Sequence, residues 1–529
     1  MKLFFILSLF VVQLFSDNFL IKNQEGTVTS IDFKIDEYTI NQTDVYDRII
    51  SNSKGSLLEY GHPELPTYSF NYGVENNKEY DIEYTINEFK IYEDINLYPA
   101  QPLVEGDTPF IKNQILYSSA SKYPYENILF ERQSIREYEM LAITFIPFEY
   151  NFSTKELKVY TDVDLQIIEK QSFRSSRSMP RSEIFERMYK SNVINDFTYN
   201  DIGIDLQQPS ILYICGGNAA TSDYYLLEPL IEWRRQQGYE VNVVSLNQIG
   251  SSSSSIKNYI SDSMSWDNPP EFVCFIGDAY GSYEVETYWV TAGGGGGWNA
   301  AEGEGDHPYA LLTGDDLLAD VLLGRMSIRT QTDLSTVVNK IIGYEKNKNP
   351  LTNTPNGTDW QNAAALVGDT DPSGISTTIT NEYINTVFDI HGGIDDVRTL
   401  YGESTNSWDN WMRDQFDEGV GYFNYRGIYG FSGFSENDVN NLENGYKLPF
   451  VTTLTCDTGS FYTQNASIIE ALFRAGTAAN PRGAVAAIGI AQSFTHTLFN
   501  NIVDMGIYEG LFIGDAKTAG ESLAYGKLA

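Results

Sequence analysis

From Pro209 onward, short unbroken apolar runs alternate with longer stretches of helical period. PSILYIC is followed by LLEPLIEWRRQQG, with Gly238 in the C-cap position, and then by YEVNVVSL; a Ser-rich helical stretch leads on to EFVCFIGD. Apolar runs of strand length separated by amphipathic helices predict βαβ units and a parallel sheet. After NPLTNTPNGTDW, whose Pro, Asn, Thr and Gly content predicts a boundary at 348/349, the rhythm resumes. AAALVGD, DDVRTLY, VGYFNYRG, LPFVTTLTC and AVAAIGIAQS are the predicted strands, and a long helical region begins at Thr497. Residues 17–170 are patterned differently. TVTSIDFKI, EYDIEYTI, FKIYEDI, LAITFIPFEY and LKVYTDVDLQI alternate apolar and polar positions between Asn, Asp, Gly and Pro, which predicts an all-β domain of antiparallel strands. Residues 171–207 open with QSFRSSRSMPRSEIF, a Ser-rich run carrying Arg174, Arg177 and Arg181. This compositional break reads as a linker and as a site for proteolytic nicking. The expected architecture is therefore an α/β chain: an N-terminal all-β domain, the linker, and two α/β subdomains at 208–348 and 349–529 with mostly parallel sheets.

A chain of 529 residues is too long for one core, in keeping with two or three domains. The formal net charge of −36 argues against nucleic acid or an anionic membrane surface as a partner, and favours a hydrated exterior able to hold divalent cations. Residues 1–16, MKLFFILSLFVVQLFS, carry one Lys and an apolar run too short to span a membrane, and read as a signal peptide. No later segment is a long uncharged apolar run, so an exported chain without a membrane-spanning segment is expected, secreted or held at the cell surface. Its three cysteines form no disulfide framework. Cys215 and Cys274 fall in adjacent predicted strands and read as core residues or one optional pair.

Cys456 is different, because it stands where the run KLPFVTTLTC ends and the turn DTGS begins. Open α/β sheets present reactive groups at the carboxyl ends of their strands, which makes Cys456 the candidate nucleophile. NYRGIYG, residues 424–430, closes the neighbouring strand. A cysteine nucleophile needs its thiolate stabilised, usually by His, and N–H groups to receive the oxyanion. TAGGGGGWNAAEGEGDH lacks the GK[ST] of a phosphate loop and reads as a surface loop. Asp315, Asp316 and Asp320 form a sharp acidic cluster.

These motifs together resemble the gingipain family of secreted cysteine peptidases. GHPELP at 61–66, the QPL and YEN elements and FIPFEYN resemble the family's β-rich propeptide. LYICGG, DHPYALLTGDDLLADVLLGRMS and the Cys456 turn resemble its peptidase domain. The resemblance implies a caspase-like pair of α/β subdomains, made as a zymogen, that hydrolyses peptide bonds with Cys456 as nucleophile. The family's NYxGHG motif is matched by Asn424, Tyr425, Arg426 and Gly427, and then Ile428 stands where His is expected. Of the four histidines, His62 falls in the propeptide, His391 behind a helix and His307 in the first subdomain. His496 follows the next strand and is the candidate base. The resemblance also implies Asp369 as the residue orienting the base, with Asp371 second, and the N–H groups of Cys456 and Gly427 as the oxyanion hole. It implies a structural calcium ion on Asp315, Asp316 and Asp320, joined by Glu302, Glu304 and Asp306, with no organic cofactor. The expected partners are protein or peptide substrates and the chain's own propeptide. The alternative expectation, carried by Ile428, is an inactive homologue acting as a binding or secretion-accessory protein. Family members continue into an immunoglobulin-like module and a secretion-signal domain, so the chain, ending at SLAYGKLA, reads as truncated at its C-terminus.

Overall fold

The computed structural model describes residues 18–529 except 36, 44, 54, 58, 77, 103–108, 120, 171–178, 196–205, 293–300, 372 and 406. The signal-peptide reading and the Arg174 and Arg177 part of the linker reading lie outside the described residues. Two compact units are present: the first ends at Ser178 apart from Glu186–Ile202, and the second holds Met179–Phe185 and Gly203–Ala529.

The first unit is all-β and antiparallel. In Val28–Lys34 the buried residues are Thr29, Ile31 and Phe33, every second position, as expected for a strand with one face in a core. That strand lies between Phe19–Glu25 and the long Glu156–Lys170 strand in a six-stranded sheet. A four-stranded sheet is built around Leu65–Val74 and Tyr138–Phe145. Phe33, Phe145, Phe148, Val163 and Leu165 are fully buried members of one core.

Part of the stretch read as a linker is ordered. Glu183–Asn192 is a helix in which Phe185, Met188 and Tyr189 are buried, the spacing of one helical face.

The second unit contains two parallel sheets. The first has the strand order Glu240–Ser245, Ser210–Cys215, Phe272–Ile276, Leu322–Met326; the second runs Asp396–Gly402, Ala363–Asp369, Tyr422–Arg426, Phe450–Thr453, Ala486–Gly489. Every residue of Ala363–Asp369 is buried, because helices cover both faces of such a sheet. Ala365, Val367, Phe423, Tyr425 and Val451 face one core, with Met412 and Phe416 of the helix Trp408–Glu418. Ala364, Leu366, Phe450 and Leu454 face the other, with Ile384 and with Ile507 and Tyr508 of the helix Thr497–Phe512. Cys215, Cys274 and Cys456 are all free thiols. Burial pushes Cys215 and Cys274 up to about 12, so they behave as apolar filler. Among the described residues, no helix is long and apolar enough to cross a membrane.

Candidate active site

All strands of the second sheet are parallel, so Asp369, Gly427, Cys456 and the segment after Gly489 emerge at the same sheet edge. The turn holding Cys456 is tightly specified. Thr458 Oγ1 donates to the carbonyls of Thr453 and Thr455 at 2.6 and 2.7 Å, and Asp457 sits at φ 66°, the left-handed region. Gly459 donates its N–H to the Ile490 carbonyl at 2.9 Å, and a Cβ there would lie 2.8 Å from the Gly489 backbone, so only Gly fits. Tyr429 bridges Cys456, its hydroxyl donating to Asp457 Oδ2 at 2.9 Å.

Cys456 is 1% exposed. Its Sγ is 3.1 Å from Thr495 Oγ1 and 3.4 Å from the Thr495 carbonyl, just before the 16-residue helix Thr497–Phe512.

The remaining sequence-derived site residues reach the same edge without joining the thiol. His496 is the N-cap of the Thr497–Phe512 helix, its Nδ1 accepting the Leu498 N–H at 3.1 Å, and its ring packs edge-on against Phe499. It is one residue from the thiol's partner, yet no hydrogen bond links it to Cys456 among the described residues. No hydrogen bond links the other histidines to the thiol among the described residues. His62 stacks on Tyr123, and His391 ends a helical turn before Gly393. His307 contacts the Leu317 carbonyl and Lys527 Nζ, each at 3.0 Å, and burial beside that lysine holds it down at about 4.

Asp369 is buried, with Oδ1 accepting N–H groups of Asp371 and Ser404, at 3.0 and 3.3 Å, and Oδ2 facing the Tyr425 hydroxyl at 3.4 Å. That hydroxyl accepts the Ser432 N–H at 2.9 Å, so Asp369 supports the loop after Arg426 rather than an imidazole. Gly427 donates its N–H to Thr455 Oγ1 at 3.2 Å, which engages the donor read as part of an oxyanion hole.

The acidic residues read as calcium ligands do not converge. Calcium takes about six to eight oxygen ligands. Asp320 Oδ2 accepts the N–H groups of Leu312 and Thr313 at 2.8 and 2.7 Å, Asp316 accepts that of Leu318 at 2.9 Å, and Asp315 is exposed. Asp306 takes Arg325 through both oxygens, and Glu304 serves another loop altogether. Among the described residues no group of three or more His, Cys, Asp or Glu is placed to hold a metal, so this donor set does not fit the ion.

Sequence reasoning missed the layer beneath the thiol. Arg426, fully buried, donates through Nε and Nη2 to Asn501 Oδ1 at 2.9 and 2.6 Å, reaches Thr455 Oγ1 at 3.4 Å, and lies 3.9 Å from Asp504. Asn424 donates to Asn381 Oδ1 and Asp504 Oδ2 at 3.0 and 2.9 Å, and Thr452 donates to Asn424 Oδ1 at 2.6 Å. The signal available was Asn424 and Arg426 at alternate positions of a buried strand, where polar groups need partners.

A pair of parallel α/β sheets with a cysteine on a strained turn at the sheet edge defines the class of protein. Residues 204–529 match Peptidase family C25 and residues 16–203 match Propeptide_C25, so the chain belongs to peptidase family C25 and carries the family's propeptide. Gingipain R1 of Porphyromonas gingivalis is 22% identical over 493 residues, covering 89% of this chain and 47% of the relative. Lys-gingipain of the same organism is 24% identical over 289 residues, 50% of this chain and 15% of its own. The chain spans about half the length of the first of these relatives. Among solved structures, the Arg specific cysteine proteinase gingipain R aligns over 60% of this chain and 75% of its own, at 20% identity and a TM-score of 0.48. A complex of Porphyromonas gingivalis RgpB pro- and mature domains aligns over 60% and 73%, with a TM-score of 0.49.

Proposed function

We propose that this chain is an exported cysteine endopeptidase, made as a zymogen, in which Cys456 is the nucleophile. The observation that carries the reading is the placement of the Cys456 thiol, on a left-handed turn at the carboxyl end of a central parallel strand and against the N-terminus of the Thr497–Phe512 helix. In the step proposed, the Cys456 thiolate adds to the scissile carbonyl carbon and the leaving amine departs with a proton. Water then hydrolyses the thioester and restores the thiol. With the N–H groups of Gly427, Thr458 and Gly459 engaged, the oxyanion falls to those of Cys456 and Asp457. His496 is the candidate base, a role that requires Nδ1 to release the Leu498 N–H and carry the ring proton so that Nε2 is free to accept one. Cleavage among Arg174, Arg177 and Arg181 would free the peptidase unit from its propeptide, and the signal peptide would direct export.

Ile428 in the expected His position, together with the capping role of His496, favours a second reading, a silent homologue that keeps the fold as a binding module. Labelling with a peptidyl electrophile across pH separates the two. The peptidase reading expects fast labelling at neutral pH that is abolished by Cys456→Ser and slowed by His496→Ala. Labelling no faster than that of a free thiol, and indifferent to His496→Ala, would establish the silent reading.

A further inference from the structure

The sequence around the Gly-rich excursion folds into a hairpin, Tyr288–Ala292 against Ala301–Gly305, whose register places Trp289 opposite Glu304. Cross-strand partners share a face, so these two side chains work from the same side of the hairpin. Glu304 is 4% exposed, and its Oε1 accepts three hydrogen bonds from the segment just after the Cys456 turn: Ser460 Oγ at 2.7 Å, Phe461 N–H at 2.6 Å and Tyr462 N–H at 3.0 Å. Three charge-assisted bonds converging on one buried oxygen fix that backbone strongly. A second tie joins the hairpin to the other wall of the site, where Glu302 bridges Ser493, two residues before the Thr495 that holds the thiol.

What the hairpin brings to the site is aromatic. The Trp289 and Tyr462 rings meet edge-on with centroids 5.9 Å apart, yet they remain 59% and 53% exposed. Exposed aromatic surface held rigid beside a reactive group marks a place where apolar surface is buried on binding. Two of the adjoining carboxylates are already engaged. Glu304 Oε1 is held by the loop and both oxygens of Asp306 by Arg325, while the Arg325 guanidinium lies 4.9 Å over the Phe461 ring and that of Arg329 5.8 Å from the Tyr280 ring. The faces of Phe461 and Tyr280 therefore already carry the chain's own cations.

We propose that Trp289 and Tyr462 form a subsite for an aromatic or large aliphatic side chain of a bound peptide, and that Glu304 is the positioning residue that keeps this subsite in register with Cys456. The assignment rests on Cys456 as the reacting thiol. The test measures binding of fluorescein-labelled hexapeptides, identical except for a central Phe, Leu, Arg or Asp, to the Cys456→Ser chain, both intact and cut among Arg174, Arg177 and Arg181. Phe and Leu peptides should bind at least about tenfold more tightly than Arg or Asp peptides in one of the two forms. Trp289→Ala should erase that preference without moving the melting temperature. In the chain with Cys456 intact, Glu304→Ala should slow labelling by a Phe-containing peptidyl electrophile about tenfold, and Glu304→Gln, which keeps an acceptor oxygen, should restore most of the rate. Equal binding of Arg and Phe peptides, a preference that survives Trp289→Ala, or no binding in either form would overturn the proposal. Selective binding with no labelling of Cys456 would instead retain the subsite and remove the peptidase reading.

Discussion

Asp504 lies fully buried against the strand Tyr422–Arg426, beside the one that leads to Cys456, 3.9 Å from Arg426, with Oδ2 accepting from Asn424 and Oδ1 making no hydrogen bond among the described residues. Burial raises its carboxyl to about 7 from 3.8, against the opposing pull of Arg426 and Asn424. The folded chain therefore holds this proton over a range in which the unfolded chain has released it. The resulting stabilisation is complete below the unfolded value near 4 and is lost as pH rises through about 7. Asp504→Asn should keep the volume and the contact with Asn424 while removing this dependence. Thermal unfolding at pH 5 and pH 8 should show the substitution clearly more stabilising at the higher pH than at the lower, and equal slopes for the two proteins would refute the assignment. The partner residue behaves in the opposite sense. Arg426→Met removes the charge that pulls the Asp504 carboxyl down, so Asp504 must take up a proton in the folded chain at pH 8, and the substitution costs more there than at acid pH. The loss should shrink at pH 5, where Asp504 is protonated, and in the Arg426→Met/Asp504→Asn pair at either pH. Denaturant titrations of the three variants measure it directly.

Between elements, the tie that stands out is Lys340 in the helix Gln331–Glu345. Its buried Nζ donates to the carbonyls of Leu472 and Phe473 at 3.1 and 2.7 Å and reaches that of Ala475 at 3.5 Å, closing the C-terminus of the helix Ile468–Arg474. A helix end leaves carbonyls without partners, and here a side chain from the other sheet's layer supplies them. Lys340→Met, matched in length, should cost about 1–3 kcal/mol through orphaned carbonyls. Amide exchange should quicken first in Ile468–Arg474, and uniform exchange across both sheets would refute a local cap. At this scale the sequence was readable wherever burial on both faces imposes unbroken apolar runs, as in Ala363–Asp369. It was opaque where the reason for an element lies far away in the chain. AEGEG has neither β-branched residues nor alternation, and it is a strand because Trp289 pairs across it and Glu304 is needed by Phe461, 157 residues on. The Ser and Arg content around Glu183–Asn192 concealed the helical spacing of Phe185, Met188 and Tyr189. Cys456 could be singled out as a candidate because a thiol at the end of an apolar run needs only local pattern. Glu304 was noticed only as an acid that could join Asp315, Asp316 and Asp320, because nothing in its neighbourhood of the sequence reveals the loop it holds.

Taken as a whole, the molecule carries 71 acidic and 35 basic side chains, a formal net charge of −36. Like charges on one surface repel, and the compact state suffers more than the expanded chain. Salt at about 0.15 M shortens the reach of these interactions to about 8 Å, which weakens general repulsion more than it weakens contact pairs such as Arg234–Glu345 or the buried Arg474–Glu470. The melting temperature should therefore rise as NaCl is increased from about 10 mM to about 150 mM, whereas a fold held mainly by exposed ion pairs would lose stability over the same range. The same repulsion bears on the buried carboxyl. Mild acidification protonates surface carboxylates and lowers the net charge, so it stabilises the molecule for a reason unrelated to Asp504. The two effects separate in a grid of pH and salt: the contribution of surface charge should fade at high salt, while the difference between the parent chain and Asp504→Asn should persist there, because a site with no exposure is screened little. If that difference vanishes with salt as well, the pH response belongs to the acidic exterior and not to the network beneath Cys456.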